Sequence, residues 1–100
     1  MTYKLKRHKD FRTEWEALPL AIREQLKKKL AKVLLNPHVV KHRLGSELSG
    51  LYKIKLRKAG VRLIYRVKDH ELIVFLLVVG KREDNVVYRI AKERLSDEHN

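Results

Sequence analysis

Between Leu51 and Tyr65 the chain reads Leu-Tyr-Lys-Ile-Lys-Leu-Arg-Lys-Ala-Gly-Val-Arg-Leu-Ile-Tyr, alternating at a period of two and interrupted once, at Ala59-Gly60. Helical faces repeat every ~3.6 residues, so this pattern predicts two strands joined by a tight turn. On the first strand Tyr52, Ile54 and Leu56 share one face, and Lys53, Lys55 and Arg57 share the other. On the second, Val61, Leu63, Tyr65 and Val67 form the apolar set, with Arg62, Ile64 and Arg66 opposite. A two-residue loop at Ala59-Gly60 would pair Lys58 with Val61 and Arg57 with Arg62, setting Lys55 diagonal to Arg62. Both cationic rows then lie on one face.

That face is costly alone, because like charges opposite each other in a sheet repel. From Lys53 to Lys68 the cations are Lys53, Lys55, Arg57, Lys58, Arg62, Arg66 and Lys68, with no Asp or Glu among them. An ordinary solvated hairpin mixes signs, so the pattern points to a surface that meets a polyanion. The whole chain agrees: 100 residues carry a net charge of +12, with a pI near 10.2. Such a balance speaks to partners such as nucleic acid, an anionic membrane or an acidic protein, not to fold.

Several classes are excluded. With no cysteine there is no disulfide scaffold, thiol nucleophile or Cys-based zinc site. The histidines (His8, His38, His42, His70 and His99) show no metal-ligand spacing, so no metal and no cofactor are expected. The longest apolar run, Leu72 to Val79, is far short of the ~20 residues of a spanning helix, and no membrane partner is expected. The chain opens Met-Thr-Tyr-Lys without an apolar signal segment, which predicts a cytoplasmic location.

The remaining elements follow from periodicity. Thr2 to Arg7 alternates and reads as a first strand. Asp10 can cap a helix whose Phe11, Trp15 and Leu18 make one stripe, which assigns Trp15 to the core rather than to a base. Pro19 opens a second helix with Ile22, Leu26, Leu30, Val33 and Leu34 inward and Arg23, Lys27, Lys28, Lys29 and Lys32 outward. Asn36-Pro37 stops it. His38 to Gly50 reads as a loop, and Lys68 to Glu71 as a polar turn. Leu72 to Val79 is apolar on both faces, as a central strand covered on both sides requires. Asp84 or Asn85 can cap a last helix bearing Val87, Ile90, Ala91 and Leu95, and Ser96 to Asn100 reads as a frayed tail.

The order β-α-α-β-β-β-α over residues 1–100 predicts a single α+β domain. Its four-stranded sheet is mainly antiparallel, with two N-terminal helices packed on one side and a C-terminal helix.

Four segments together resemble the RelE toxins of RelB–RelE toxin–antitoxin pairs. They are Tyr52-Lys-Ile-Lys-Leu-Arg57, Gly60-x-Arg-Leu-x-Tyr65, Val79-Gly-Lys-Arg-Glu83 and Val87-Tyr88; Arg23-Glu-Gln-Leu-Lys-Lys-Lys-Leu30 adds to the likeness. The resemblance covers nearly the whole chain and rests on the set, not on any one tetrapeptide. It implies an endoribonuclease that cuts messenger RNA held in the ribosomal A site. It also implies a RelB-like antitoxin partner, and operator DNA bound through the toxin–antitoxin complex. The family's catalytic lysines fall on Lys53 and Lys55, its arginines on Arg62 and Arg82, and its stacking tyrosine on Tyr88. Related toxins that use a Glu and a His fit less well, since the last strand ends in Lys81-Arg82 without a histidine.

The chemistry suits those positions. In RNA the 2′-hydroxyl attacks the adjacent phosphorus, so the enzyme supplies a base, charge stabilisation and an acid, not a nucleophile. Lys55, crowded by other cations, is expected to have a lowered pKa and to act as base with Lys53 tuning it. Arg62 would stabilise the phosphorane, Arg82 the leaving oxygen, and Tyr88 would stack on a codon base. Further RNA contacts are expected from Lys27, Lys28, Lys29, Lys41, Arg43, Arg57, Lys58, Arg66 and Lys81. Two other readings stand beside this one: a ParE-like gyrase inhibitor, and a non-catalytic nucleic-acid-binding module.

Overall fold

A computed structural model of the chain describes residues 2–45, 48–81 and 86–98. Its long apolar run becomes strand β4 (Ile73–Lys81), flanked by β1 (Lys4–Arg7) in parallel and by β3 (Val61–Lys68) antiparallel. Strand β2 (Leu51–Leu56) pairs antiparallel with β3 and closes the sheet in the order β1-β4-β3-β2. Helices α1 (Phe11–Glu16) and α2 (Leu20–Leu35) cover one face, and α3 (Val86–Glu98) covers part of the other.

Each face has its own apolar cluster. On the α1–α2 side, Phe11, Leu26 and Leu30 pack with Ile54, Leu63 and Tyr65. On the α3 side, Leu51, Ile64, Leu77 and Val78 pack with Val87 and Ala91. Trp15 stacks on Phe11 at 6.0 Å between ring centroids, which puts it with the core stripe, as expected.

Strand β4 departs from strict alternation. Ile64 pairs with Val78 while Tyr65 pairs with Leu76, so Leu77 is an extra, bulged residue. Leu77 and Val78 therefore both turn toward α3, and Val79 returns to the other face. An unbroken apolar run hides this from the sequence, because every residue in it tolerates either face.

The hairpin register differs from the predicted one. Leu56 pairs with Val61 and Lys55 with Arg62, so the turn is Arg57-Lys58-Ala59-Gly60 rather than two residues. Gly60, at φ +66°, closes it by donating its N–H to the Arg57 carbonyl at 3.3 Å. The two-residue slip leaves every side chain on its predicted face, since strand faces repeat every second residue. It moves Arg57 into the turn and sets Lys55 directly across from Arg62.

Other boundaries shift slightly. Asp10 occupies the N-cap position without a side-chain bond, and its N–H donates to the buried His8 Nδ1 instead. Pro19 is itself the N-cap of α2. The loop after Pro37 contains a 3-10 turn at Val40–His42, and Leu72 takes a left-handed φ of +55° ahead of β4. Helix α3 continues through Ser96 to Glu98, inside the stretch expected to fray. The predicted caps Asp84 and Asn85 lie outside the described residues.

Strand β1 pairs with β4 only as far as Leu76, so side chains must satisfy the β4 edge beyond it. Arg94 of α3 donates to the Leu77 carbonyl at 2.8 Å, and Glu14 of α1 accepts the Val79 N–H at 3.3 Å. The two also grip each other in a bidentate pair, both contacts 2.8 Å, which fastens α3 to α1 around the sheet edge. Arg94→Leu should lower the unfolding free energy by about 2–4 kcal/mol in urea titrations, because it strands a part-buried carboxylate. Arg12→Leu, which breaks the exposed Arg12–Glu16 pair, should cost about 0.3–0.5 kcal/mol. Equal losses would contradict this reading.

The N-terminus is tied down at Asp69, whose Oδ1 accepts from Tyr3 Oη at 2.7 Å and lies 2.7 Å from His38 Nε2. The Tyr3 bond, then the His38 bond, hold the Asp69 carboxyl below the usual range. A depressed carboxyl contributes stability that is present above about pH 4 and is lost as pH falls through its folded value. Asp69→Asn should therefore lower stability at neutral pH and change little at pH values below the folded Asp69 pKa, which flattens the acid limb of the pH–stability curve; an unchanged acid limb would contradict it.

Candidate active site

Among the described residues, helix α3 covers Ile64 through Val87 and Ala91 but leaves the hairpin end of the same sheet face open. The alternation of β2 and β3 sets Lys53, Lys55 and Arg62 on that open end, all part-buried. Cross-strand partners lie ~4.5–5.5 Å apart at Cβ, so Lys55 and Arg62 form one cationic pair with Lys53 beside it.

Tyr88 comes from α3, one residue past Val87, and reaches the same place. Its hydroxyl accepts a hydrogen bond from Arg62 Nη1 at 2.8 Å, and the guanidinium carbon lies 5.5 Å from the ring centroid. The aromatic ring and the guanidinium therefore position each other, and Arg62 keeps further N–H groups for a ligand.

The Lys55 ammonium is held below its ordinary pKa, chiefly by the charge of Lys53, then by partial desolvation, by Arg62 and by a hydrogen bond with Lys53. Tyr88 opposes the shift. Crowding thus enlarges the neutral fraction of Lys55, the form that accepts a proton.

Lys55 stands between two cavities. One, of about 230 Å³, lies at the hairpin tip against Arg57, Gly60 and Arg62. The other, of about 370 Å³, runs toward α2 and is lined by Lys29, Lys41, His42 and Lys53 as well as Lys55 and Arg57. A third, apolar groove of about 510 Å³ between β1, α1 and α2 is lined by Leu5, Phe11, Trp15 and Lys27.

The predicted residues therefore divide. Lys53, Lys55, Arg62 and Tyr88 converge, and Arg57, Lys29 and Lys41 border the same region. Lys81 ends β4 opposite Val61, and Lys58 is exposed in the turn. Lys28 is exposed on α2, while Lys27 lies 3.4 Å from Glu24 and borders the apolar groove. Arg43 bridges to Tyr52 at the β2 edge, and Arg66 pairs with Leu51, about 13 Å along β3 from Arg62. Arg82 lies outside the described residues. The residue that sequence reasoning passed over is His42, whose only sequence signal was its place between Lys41 and Arg43.

An NMR titration of lysine side chains should find the Lys55 ammonium deprotonating below the ordinary ~10.4. Lys53→Gln should move it back upward, since it removes the largest cause of the shift. A Lys55 titration unmoved by that change would contradict the crowding.

Known proteins share this fold. The family model described as the ParE toxin of the type II toxin–antitoxin system parDE matches residues 5–86. The mRNA interferase toxin RelE of Escherichia coli strain K12 is 46% identical over 82 residues, covering 82% of this chain and 85% of that protein. The solved structure of a doubly substituted Escherichia coli RelE in the free state superposes with a TM-score of 0.86 at 42% identity, covering 95% of this chain and 99% of that one. RelE from the intact Escherichia coli RelBE toxin–antitoxin complex gives 0.77 at 43% identity, covering 81% and 98%.

Proposed function

The chain belongs to the RelE/ParE family of type II toxins, and from that premise we propose that it is an mRNA interferase. It cuts messenger RNA held in the ribosomal A site, by attack of a 2′-hydroxyl on the adjacent phosphate, and so blocks translation. The observation that carries this reading is the Lys55–Arg62 pair, flanked by Lys53 and by Tyr88 bonded to Arg62.

Lys55 takes the proton of the attacking hydroxyl, with Lys53 keeping it deprotonatable. Arg62 offers its remaining donors to the charge that grows on the phosphorane. Arg82 assists the leaving oxygen. Tyr88 stacks on a codon base and turns the strand toward an in-line geometry. No carboxylate lines either cavity among the described residues, so the site has no strong acid–base pair. The ribosome must then contribute the bent substrate, and the cationic surface of Lys28, Arg43, Lys58, Arg66 and Lys81 grips RNA backbone in a salt-dependent way.

The same premise gives the partners. A relative has been solved as an intact RelBE toxin–antitoxin complex, and this chain likewise binds a cognate RelB-like antitoxin. The complex represses its own operon through operator DNA. Its place of action is the cytoplasm, where ribosomes are.

The matched family model is named for ParE, which favours one rival reading, inhibition of DNA gyrase without RNA cleavage. That activity makes no demand for Lys53, Lys55, Arg62 and Tyr88 together. Primer extension on messenger RNA in a purified translation reaction separates the two. Cuts inside A-site codons should occur only when ribosomes are present, and a single 2′-deoxy nucleotide at the cut should abolish them. Arg62→Ala and Tyr88→Ala should each slow cleavage by about 10²-fold or more. Absence of cuts together with loss of gyrase supercoiling activity would overturn the proposal.

A further inference from the structure

The larger cationic cavity contains a group that the proposed reaction does not use. His42 sits in the 3-10 turn Val40–His42, its Nδ1 is buried, and it has no hydrogen-bond partner among the described residues. Cations face it from every neighbouring element: Lys29 from α2, Lys41 from its own turn, Lys53 and Lys55 from β2, and Arg57 from the hairpin turn. At about 370 Å³ the cavity lies in the range of small-ligand sites, large enough for one nucleotide. It shares Lys55 and Arg57 with the hairpin-tip cavity beside Arg62, so the two are continuous stations along one cationic face.

We propose that this cavity is a second RNA subsite, which takes the phosphate and ribose of the message nucleotide next to the one cleaved, with His42 as its proton-linked contact. The inference rests on the RNA-cleaving reading above and extends it to a residue with no role there.

Charge compensation would drive the binding. Positive charges surrounding an empty cavity repel each other, and a phosphodiester placed among them relieves all of them at once. His42 reports that balance. Burial, then Lys41, Lys29 and Lys53, hold its pKa below the ordinary histidine value, so it is neutral at pH 7 in the free protein. An incoming phosphate cancels the lysine field and favours the imidazolium. Binding therefore draws a proton onto His42, and RNA affinity should rise as pH falls through the histidine range. Among the described residues no hydrogen bond at Nδ1 has to break for His42 to take that proton, because that nitrogen has none.

Ribosomal RNA carries the same phosphodiester chemistry, and the shared Lys55 favours the message strand. The test uses a 5′-phosphorylated, 2′-O-methyl RNA trinucleotide, which cannot be cut, with the full-length protein. Saturation should raise the NMR-measured pKa of the His42 imidazole by about one unit or more, consistent with loss of nearby like charge. Calorimetry at pH 6.5 in two buffers of different ionisation enthalpy should show proton uptake. His42→Gln should abolish that uptake and weaken binding about five- to tenfold. The exposed pair Lys29→Gln and Lys41→Gln should weaken binding and flatten its salt dependence, with folding intact.

An unchanged His42 pKa on saturation would overturn the subsite. So would a His42→Gln protein that binds the trinucleotide normally and loses affinity only for ribosomes, since the cavity would then hold ribosomal RNA. Failure of the parent reading looks different: A-site cleavage would be absent while the trinucleotide still raised the His42 pKa.

Discussion

Strand β4 is apolar on both faces, and the molecule is arranged to cover both. Helices α1 and α2 shield one side through Leu26, Leu30 and Phe11; α3 shields the other through Val87 and Ala91. The covering by α3 is partial. It protects Ile64, Leu77 and Val78 and stops short of the hairpin end, where the part-buried ladder positions are Lys53, Lys55 and Arg62. The site is the part of the sheet that the core does not need.

The bulge at Leu77 and the Glu14–Arg94 pair serve the same end. The bulge turns two consecutive apolar residues toward α3, enlarging the surface that holds the helix. Beyond Leu76 the β4 edge has no partner from β1, and Arg94 and Glu14 satisfy its carbonyl and N–H while fastening α3 to α1. A helix so anchored delivers Tyr88 to Arg62 at a fixed place. Core packing, edge satisfaction and the position of an aromatic ring are thus linked through one helix.

Much of this was legible in the sequence, and the failures have physical causes. Alternation gave the faces of β2 and β3, and a two-residue error in the turn left them intact because strand faces repeat every second residue. The same error misjudged which cations meet, placing Arg57 rather than Lys55 across from Arg62. Leu77 could not be recognised as bulged, since a run of interchangeable apolar residues contains no mark of phase. Glu14 and Arg94 are 80 residues apart and each looks like an ordinary helix charge. His42 lay in a loop without periodicity, where spacing arguments have nothing to act on. Alternation alone set Lys53, Lys55 and Arg62 on one face; the arrival of Tyr88 beside them is a tertiary fact that the sequence offered through resemblance.

The central claim is that a lysine becomes a base when its own kind surrounds it. That claim is tested most directly by the pH dependence of single-turnover message cleavage on programmed ribosomes at saturating toxin. For the native protein, cleavage should rise with pH along a limb lying below the ordinary lysine value of ~10.4. In Lys53→Gln the limb should move to higher pH, because the neighbour that most depresses the Lys55 ammonium is gone. A limb at the same pH in both proteins would contradict the account, since the proton acceptor would then be a group that Lys53 does not influence.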